Sequence, residues 1–132
     1  MSHPELQLRD AVVDALKADK GPLKAVHIDD GDPTEERNFP YVQILWGGSA
    51  PIDGHPMGST QHRDVEFTAR IVGADVGNPD TTVMTARLHV EQVLWEQFQP
   101  MFLDATPGYD PEGRRLSFMA EIGFLINIEY TL

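Results

Sequence analysis

Apolar and polar residues alternate most clearly at the end of the chain. Apolar residues occupy every second position from Leu116 to Leu132, and the positions between them are mostly polar. This period is typical of a β-strand with one buried face. A straight strand of this length would span roughly 55 Å, whereas a compact chain of this size is about 36 Å across. We therefore expect the strand to bend near Gly123, or to leave the globule and pack on another subunit.

Two other stretches have the apolar spacing of helices. The first predicted helix runs from Pro4 to about Asp19, and its apolar side is formed by Leu6, Leu8, Val12, Val13 and Leu16. The second follows Asn78-Pro79-Asp80 and continues to about Phe98.

The second helix has two apolar flanks separated by a narrow polar stripe. One flank carries Val83, Ala86, Val90, Val93 and Leu94, and the other carries Met84, Leu88 and Trp95. A helix this apolar around its circumference is deeply buried or packs on two partners. We expect Met84, Leu88 and Trp95 to contact a neighbouring subunit, with the sheet edge and Gly123 close to that contact.

The middle of the chain contains shorter strand patterns. Residues 24–28 are a short strand candidate and residues 41–46 a compact apolar run. Residues 63–73 alternate, with Val65, Phe67, Ala69 and Ile71 on one face. Residues 47–61 hold four glycines and two prolines, which predicts a long mobile loop joining two antiparallel strands. Residues 105–113 are predicted as a further loop. Together these elements predict an α+β fold in a single domain over residues 1–132, with a mainly antiparallel sheet and two helices packed on one face.

Composition narrows the classes of function. The chain lacks cysteine, which excludes disulfides and thiolate metal sites. Its 21 acidic residues outnumber 10 basic ones, giving a net charge of −11. This charge disfavours binding to the phosphates of nucleic acid. The sequence contains neither an apolar run long enough to span a membrane nor an apolar N-terminal signal segment.

Few residues have the type and spacing expected of a catalytic or metal-binding site. His62, Asp64 and Glu66 share one face of a predicted strand and are residue types that bind zinc or another transition metal, although a solvated strand face has the same composition. No nucleophile-elbow, phosphate-loop, dinucleotide-binding or zinc-protease motif occurs. We therefore expect no enzymatic activity, no cofactor and no metal.

The order of elements resembles the tail terminator (tail completion) proteins of long-tailed bacteriophages. The resemblance lies in Ala15-Leu16-Lys17-Ala18-Asp19, Val26-His27-Ile28-Asp29 and Asn38-Phe39-Pro40-Tyr41-Val42, and in residues 61–72, 83–95 and 116–130. It covers nearly the whole chain.

The resemblance implies a structural virion protein at the head-proximal end of the tail, assembled in the host cytoplasm. It implies a homo-oligomeric ring, expected to be a hexamer, that caps the tail tube, halts its polymerisation and offers a docking surface for the head. The implied partners are the major tail-tube protein, a neck or head-completion protein, and double-stranded DNA passing through the lumen without specific binding. The predicted mobile loop would contact the tube or a neighbour through Gly47, Gly48, Gly54, His55, Met57 and Gly58.

Two alternatives remain open from the sequence. One is a ring protein at another joint, such as a neck or head-completion component, since one fold serves several joints. The other is a small metal-dependent hydrolase or binding module that uses His62, Asp64 and Glu66.

Overall fold

The computed structural model describes residues 3–28, 39–52, 58–73, 79–109 and 118–132. These residues form two helices and five strands, in the order α1 (Pro4–Ala18), β1 (Ala25–Ile28), β2 (Tyr41–Pro51), β3 (Thr60–Val72), α2 (Pro79–Phe98), β4 (Met101–Tyr109) and β5 (Phe118–Thr131).

The five strands form one sheet in the order β1-β2-β3-β5-β4. β1 and β2 are parallel, and every other neighbouring pair is antiparallel. α1 packs against β1 and β2, whereas α2 packs against β3, β5 and α1. The predicted α+β class, the mainly antiparallel sheet and the packing of both helices on one face are confirmed.

The core lies between the helices and one face of the sheet. The alternating residues of β3 and β5 meet there, and the rings of Phe67 and Phe124 stack with centroids 5.6 Å apart at the centre. The helices add Val12, Leu16, Val83, Val90 and Leu94, all of which are fully buried. The period-two pattern of the strands therefore predicts the sheet side of the core, and the helical pattern of α1 and α2 predicts its other side.

The long final strand stays within the sheet. β5 pairs with β3 without interruption from Met119 to Thr131, so the ladder between these strands is unbroken at Gly123. The irregularity lies in β4, where Phe102 pairs with Phe124 but Ala105 pairs with Ile122. Leu103 and Asp104 thus oppose Gly123 as a bulge. β3 is nearly as long as β5 and pairs with it throughout, and contact of this strand with another subunit stays a prediction.

Two of the predicted loops are partly strand. β2 continues through residues 47–51, and β3 begins at Thr60, so the predicted loop of residues 47–61 is much shorter than expected. The strand continues because the register shift between Trp46 and Ser49 absorbs the two glycines. Likewise, the loop predicted over residues 105–113 begins as β4. Pro107 is tolerated there because β4 is an edge strand, where a missing amide donor leaves no ladder bond broken.

A turn after α1 fixes the two helices against each other. His89 Nε2 of α2 donates a hydrogen bond of 2.7 Å to the carbonyl oxygen of Asp19, which follows α1. The same imidazole ring covers Gly21, whose φ is +53°. A Cβ at Gly21 would lie 2.6 Å from the ring atoms.

We expect Gly21→Ala to destabilise the domain by about 2–3 kcal/mol, because the residue would be strained in the left-handed region and would also displace the His89 ring. Gly48→Ala is the matched control, since Gly48 has φ +89° but open space around a Cβ. Gly48→Ala should lower the free energy of unfolding by only about 1 kcal/mol, from backbone strain alone. Urea denaturation measures both values, and equal losses would show that the His89 contact does not constrain the turn.

Candidate functional site

The second apolar flank of α2 is exposed. Met84, Leu88 and Trp95 are 39%, 54% and 54% accessible, whereas Val83 and Val90 on the first flank are fully buried. We call the set Met84, Leu88 and Trp95 the α2 flank. Its exposure confirms that the helix has a second apolar side that the subunit itself does not cover. A contiguous exposed apolar patch on a small domain is typical of an interaction site.

The α2 flank points away from α1. His89 contacts the end of α1, and at 100° per residue the three flank positions lie about 100–140° around the helix from it. The buried side of the helix is centred about 90° from His89 in the opposite sense, so the flank faces mainly away from the core and into solvent. In β4, Phe102 and Ala105 are partly buried against the core, whereas Met101 is 66% accessible and pairs with Leu125 on the other face of the sheet. The α2 flank is therefore an exposed apolar surface on the helix side alone.

One ion pair borders the α2 flank. Arg87 Nη2 lies 3.4 Å from Glu91 Oε1, as the i,i+4 spacing predicts. The Nε atom of Arg87 is buried and makes no hydrogen bond among the described residues. The Arg87–Glu91 ion pair thus lies between the buried side of α2 and the exposed α2 flank.

The face of the sheet opposite the helices is polar. His62, Asp64 and Glu66 lie on this open face, as the alternation predicts, and two of them pair with β5. His62 Nδ1 is 3.8 Å from Glu129 Oε2, and the Asn127 side-chain amide donates to Asp64 Oδ1 at 3.4 Å. Within the described ranges, no group of three or more histidine and acidic side chains is arranged to hold a metal ion. His62 and Asp64 thus behave as members of cross-strand pairs, whereas Glu66 lies opposite Leu125.

Gly123 also lies on the open face, close to β4. A Cβ there would come within 3.4 Å of Leu103, so Gly123 lets the bulge of β4 lie close to β5. A shallow cleft runs along this part of the sheet, and its acidic lining residues are Glu66, Asp104 and Glu121. Arg70 compensates one of them, since its Nε lies 2.9 Å from Glu121 Oε1. Gly123 and the α2 flank are therefore on opposite faces of the sheet within one subunit.

The six residues predicted to form a contact loop fall into three groups. Gly47 and Gly48 lie in β2 at its register shift, which corrects their assignment to a loop. Gly58 lies in the turn before β3 and has a φ of +64°. Gly54, His55 and Met57 lie outside the described residues.

A buried carboxylate near the start of α1 is a feature that the sequence reading missed. Glu5 is 5% exposed and accepts hydrogen bonds from Trp46 Nε1 at 3.3 Å and Ser49 Oγ at 2.8 Å. Arg63 lies 3.8 Å from the same carboxylate and donates to Ser49 Oγ at 2.7 Å. This Glu5 network ties α1 to β2 and β3 beyond the point where β1 ends.

The signal for Glu5 in the sequence is weak. An acidic residue directly after Pro4 is ordinarily interpreted as a favourable charge at a helix N-terminus. Its burial depends on residues more than 40 positions away, and Ser49 was assigned to a mobile loop. Only the continuation of β2 through Ser49 brings the donors to the helix.

Neither described helix has the length and hydropathy needed to cross a membrane.

Comparison with known proteins finds likeness in structure. No protein-family model matches the chain, and no curated protein matches its sequence. Among solved structures, a chain of the virion of a native gene transfer agent particle is similar, with a TM-score of 0.70 and 18% identity. The match covers 98% of this chain and 100% of that chain. At this identity, the comparison shows a shared fold along the full length of both chains.

Proposed function

We propose that this chain is a structural virion protein of a phage-like particle, without enzymatic activity. The observation that carries the proposal is the fold shared with a chain of a gene transfer agent virion over nearly the whole of both chains. An incidental resemblance between small α+β domains would more commonly leave unmatched elements in one of them. On the open sheet face, His62, Asp64 and Glu121 take part in cross-strand pairs, an arrangement that agrees with a structural role.

Within the virion, we propose that the protein is a tail terminator. Its subunits form a ring, expected to be a hexamer, that caps the tail tube and stops the addition of further tube protein. The opposite side of the ring receives a neck or head-completion protein. Support comes from the sequence pattern that resembles this family and from the exposed α2 flank, which offers an apolar surface for a second copy.

The ring would use two different patches on each subunit, because head-to-tail contacts close a ring after a fixed rotation. The α2 flank is one patch. The acidic balance of the chain, −11 overall, supports a lumen that repels DNA phosphates and lets double-stranded DNA pass.

Gold labelling of a tagged copy in intact particles tests the proposed position. We expect label at one site per particle, at the junction between the tail tube and the head. Label distributed along the tube would contradict a terminator. Label retained on tailless heads and absent from free tails would instead favour a neck or head-completion ring.

A further inference from the structure

The last part of β5 has a strand neighbour on one side only. β5 pairs with β3 from Met119 to Thr131, whereas β4 pairs with β5 no further than the Met101–Leu125 pair. Among the described residues, the backbone of residues 126–131 therefore meets β3 on one side and no strand on the other. At about 3.4 Å per residue, this stretch is roughly 20 Å long. We call its unpaired side the β5 free edge.

The alternation of hydrogen bonds shows which backbone groups lie on the β5 free edge. In an antiparallel ladder the amide and carbonyl of one residue point to the same side, and successive residues alternate. The Phe118 carbonyl accepts from the Gly73 amide at 2.9 Å, and the Leu132 amide donates to the Ser59 carbonyl, both on the β3 side. Because the register between these two ends is unbroken, the even-numbered residues of β5 bond to β3. The backbone groups that point to the free edge are those of Asn127, Glu129 and Thr131.

The other described edges of the sheet are short or interrupted. β1 has four residues. The outer edge of β4 contains the bulge opposite Gly123 and Pro107, and β2 has a register shift after Trp46 and ends at Pro51. Short strands, bulges and prolines keep sheet edges from pairing with other chains. The β5 free edge has neither a bulge nor a proline, and Glu129 is its one charged residue, so it is open to strand addition.

We propose that an extended segment of another virion protein adds to the sheet along the β5 free edge. The backbone groups of Asn127, Glu129 and Thr131 supply the hydrogen bonds, as in other cases of strand addition. Ile126 and Ile128 pack on the helix side, so the added segment places apolar residues there. Asn127 and Glu129 lie on the open face, where a polar or basic side chain of the segment is favoured across the pair.

A second copy of this chain fits the β5 free edge less well. The edges of its β1, β2 and β4 are short or interrupted. Its own β5 free edge can face the first only across a two-fold axis, whereas the subunits of a ring repeat in one orientation. The segment therefore belongs to an unlike chain. This inference rests on the proposed virion role, to which it adds a binding surface and the chemistry of the partner.

Hydrogen exchange in the natural protein tests the proposal without any substitution. The amides of Asn127, Glu129 and Thr131 should exchange rapidly in the purified chain and at least about a hundredfold more slowly in intact particles, because they gain acceptors there. The amides of Ile126 and Ile128 bond to β3 and should be protected in both samples. They are the internal control, and mass spectrometry with residue resolution measures all five.

Proline substitution tests the edge directly. Glu129→Pro removes an amide from the free edge and breaks no bond to β3, so the variant should fold. It should enter particles at least about tenfold less than the natural protein, because the ring blocks the added strand. His62→Ala is the matched control, since it removes the same 3.8 Å contact with Glu129 and leaves the edge intact. If circular dichroism shows that Glu129→Pro does not fold, Thr131→Pro replaces it.

The outcomes separate the strand addition from the virion role. Rapid exchange of the edge amides in particles, or normal incorporation of the folded proline variant, would overturn the strand addition and leave the virion role standing. Protection of these amides already in the purified chain would overturn the assignment to an unlike partner. Absence of the natural protein from purified particles would overturn both proposals.

Discussion

Trp95→Asp should convert the proposed ring into folded monomers. Trp95 is half exposed in the subunit, so a charge there is solvated in the monomer but must be desolvated at the subunit contact. A buried interface tryptophan contributes on the order of 2 kcal/mol or more, which corresponds to roughly thirtyfold weaker association at each contact. Leu88→Asp should act in the same way. Size exclusion with light scattering measures the assembly, and circular dichroism measures the fold.

Leu94→Asp is the matched control for Trp95→Asp. Leu94 directly precedes Trp95 on α2 but is fully buried against the sheet. A carboxylate there should unfold the monomer rather than dissociate the ring. A folded Trp95→Asp variant that still forms rings would show that the α2 flank is not the contact between subunits.

Glu5→Ala should lower the free energy of unfolding by about 2–3 kcal/mol, because Trp46 Nε1 and Ser49 Oγ would lose a buried acceptor and Arg63 would lose its ion-pair partner. The estimate stays below the full value for a buried ion pair because the Arg63 side chain is 24% accessible and can reach water. Asp10→Ala is the control in the same helix. Asp10 is exposed and, among the described residues, pairs with the adjacent Arg9, so its loss should change stability by less than about 0.5 kcal/mol.

Urea denaturation of the two variants measures the difference. Equal stability of Glu5→Ala and Asp10→Ala would mean that the Glu5 network does not hold α1 to the sheet. A loss confined to Glu5→Ala would support a role for the network in fixing the end of the sheet where β2 and β3 extend past β1.

The sequence predicted those elements whose periodic pattern is long. α2 was placed within a residue or two of its observed ends, and its two flanks separated into one buried and one exposed set as expected. The buried positions of β3 and β5 were also identified, because each strand has one face against the helices and the other toward solvent. In each of these elements, apolar residues recur on one side of the helix or on one face of the strand.

The errors concern glycine and proline. Gly47 and Gly48 in β2, and Pro107 in β4, were interpreted as loop signals. A bulge and an edge position make these residues compatible with strands, but neither feature can be known before the neighbours of the strand are known. The order of strands in the sheet and the parallel pairing of β1 with β2 depend on the same long-range information.

The candidate surface was predictable in part. Helical spacing alone identified Met84, Leu88 and Trp95. An exposed apolar flank recurs along a helix with the same period as a buried one, so both are visible in the sequence. The proximity of Gly123 to this flank was expected but does not hold within one subunit.

The growth of tail tubes in the presence of the purified protein tests the central claim most directly. Tubes polymerised from the cognate tube protein are measured by electron microscopy, with and without this chain. We expect saturating protein to stop elongation and to appear as a ring at one tube end only. Tubes that elongate at an unchanged rate, without the protein at their ends, would contradict a tail terminator.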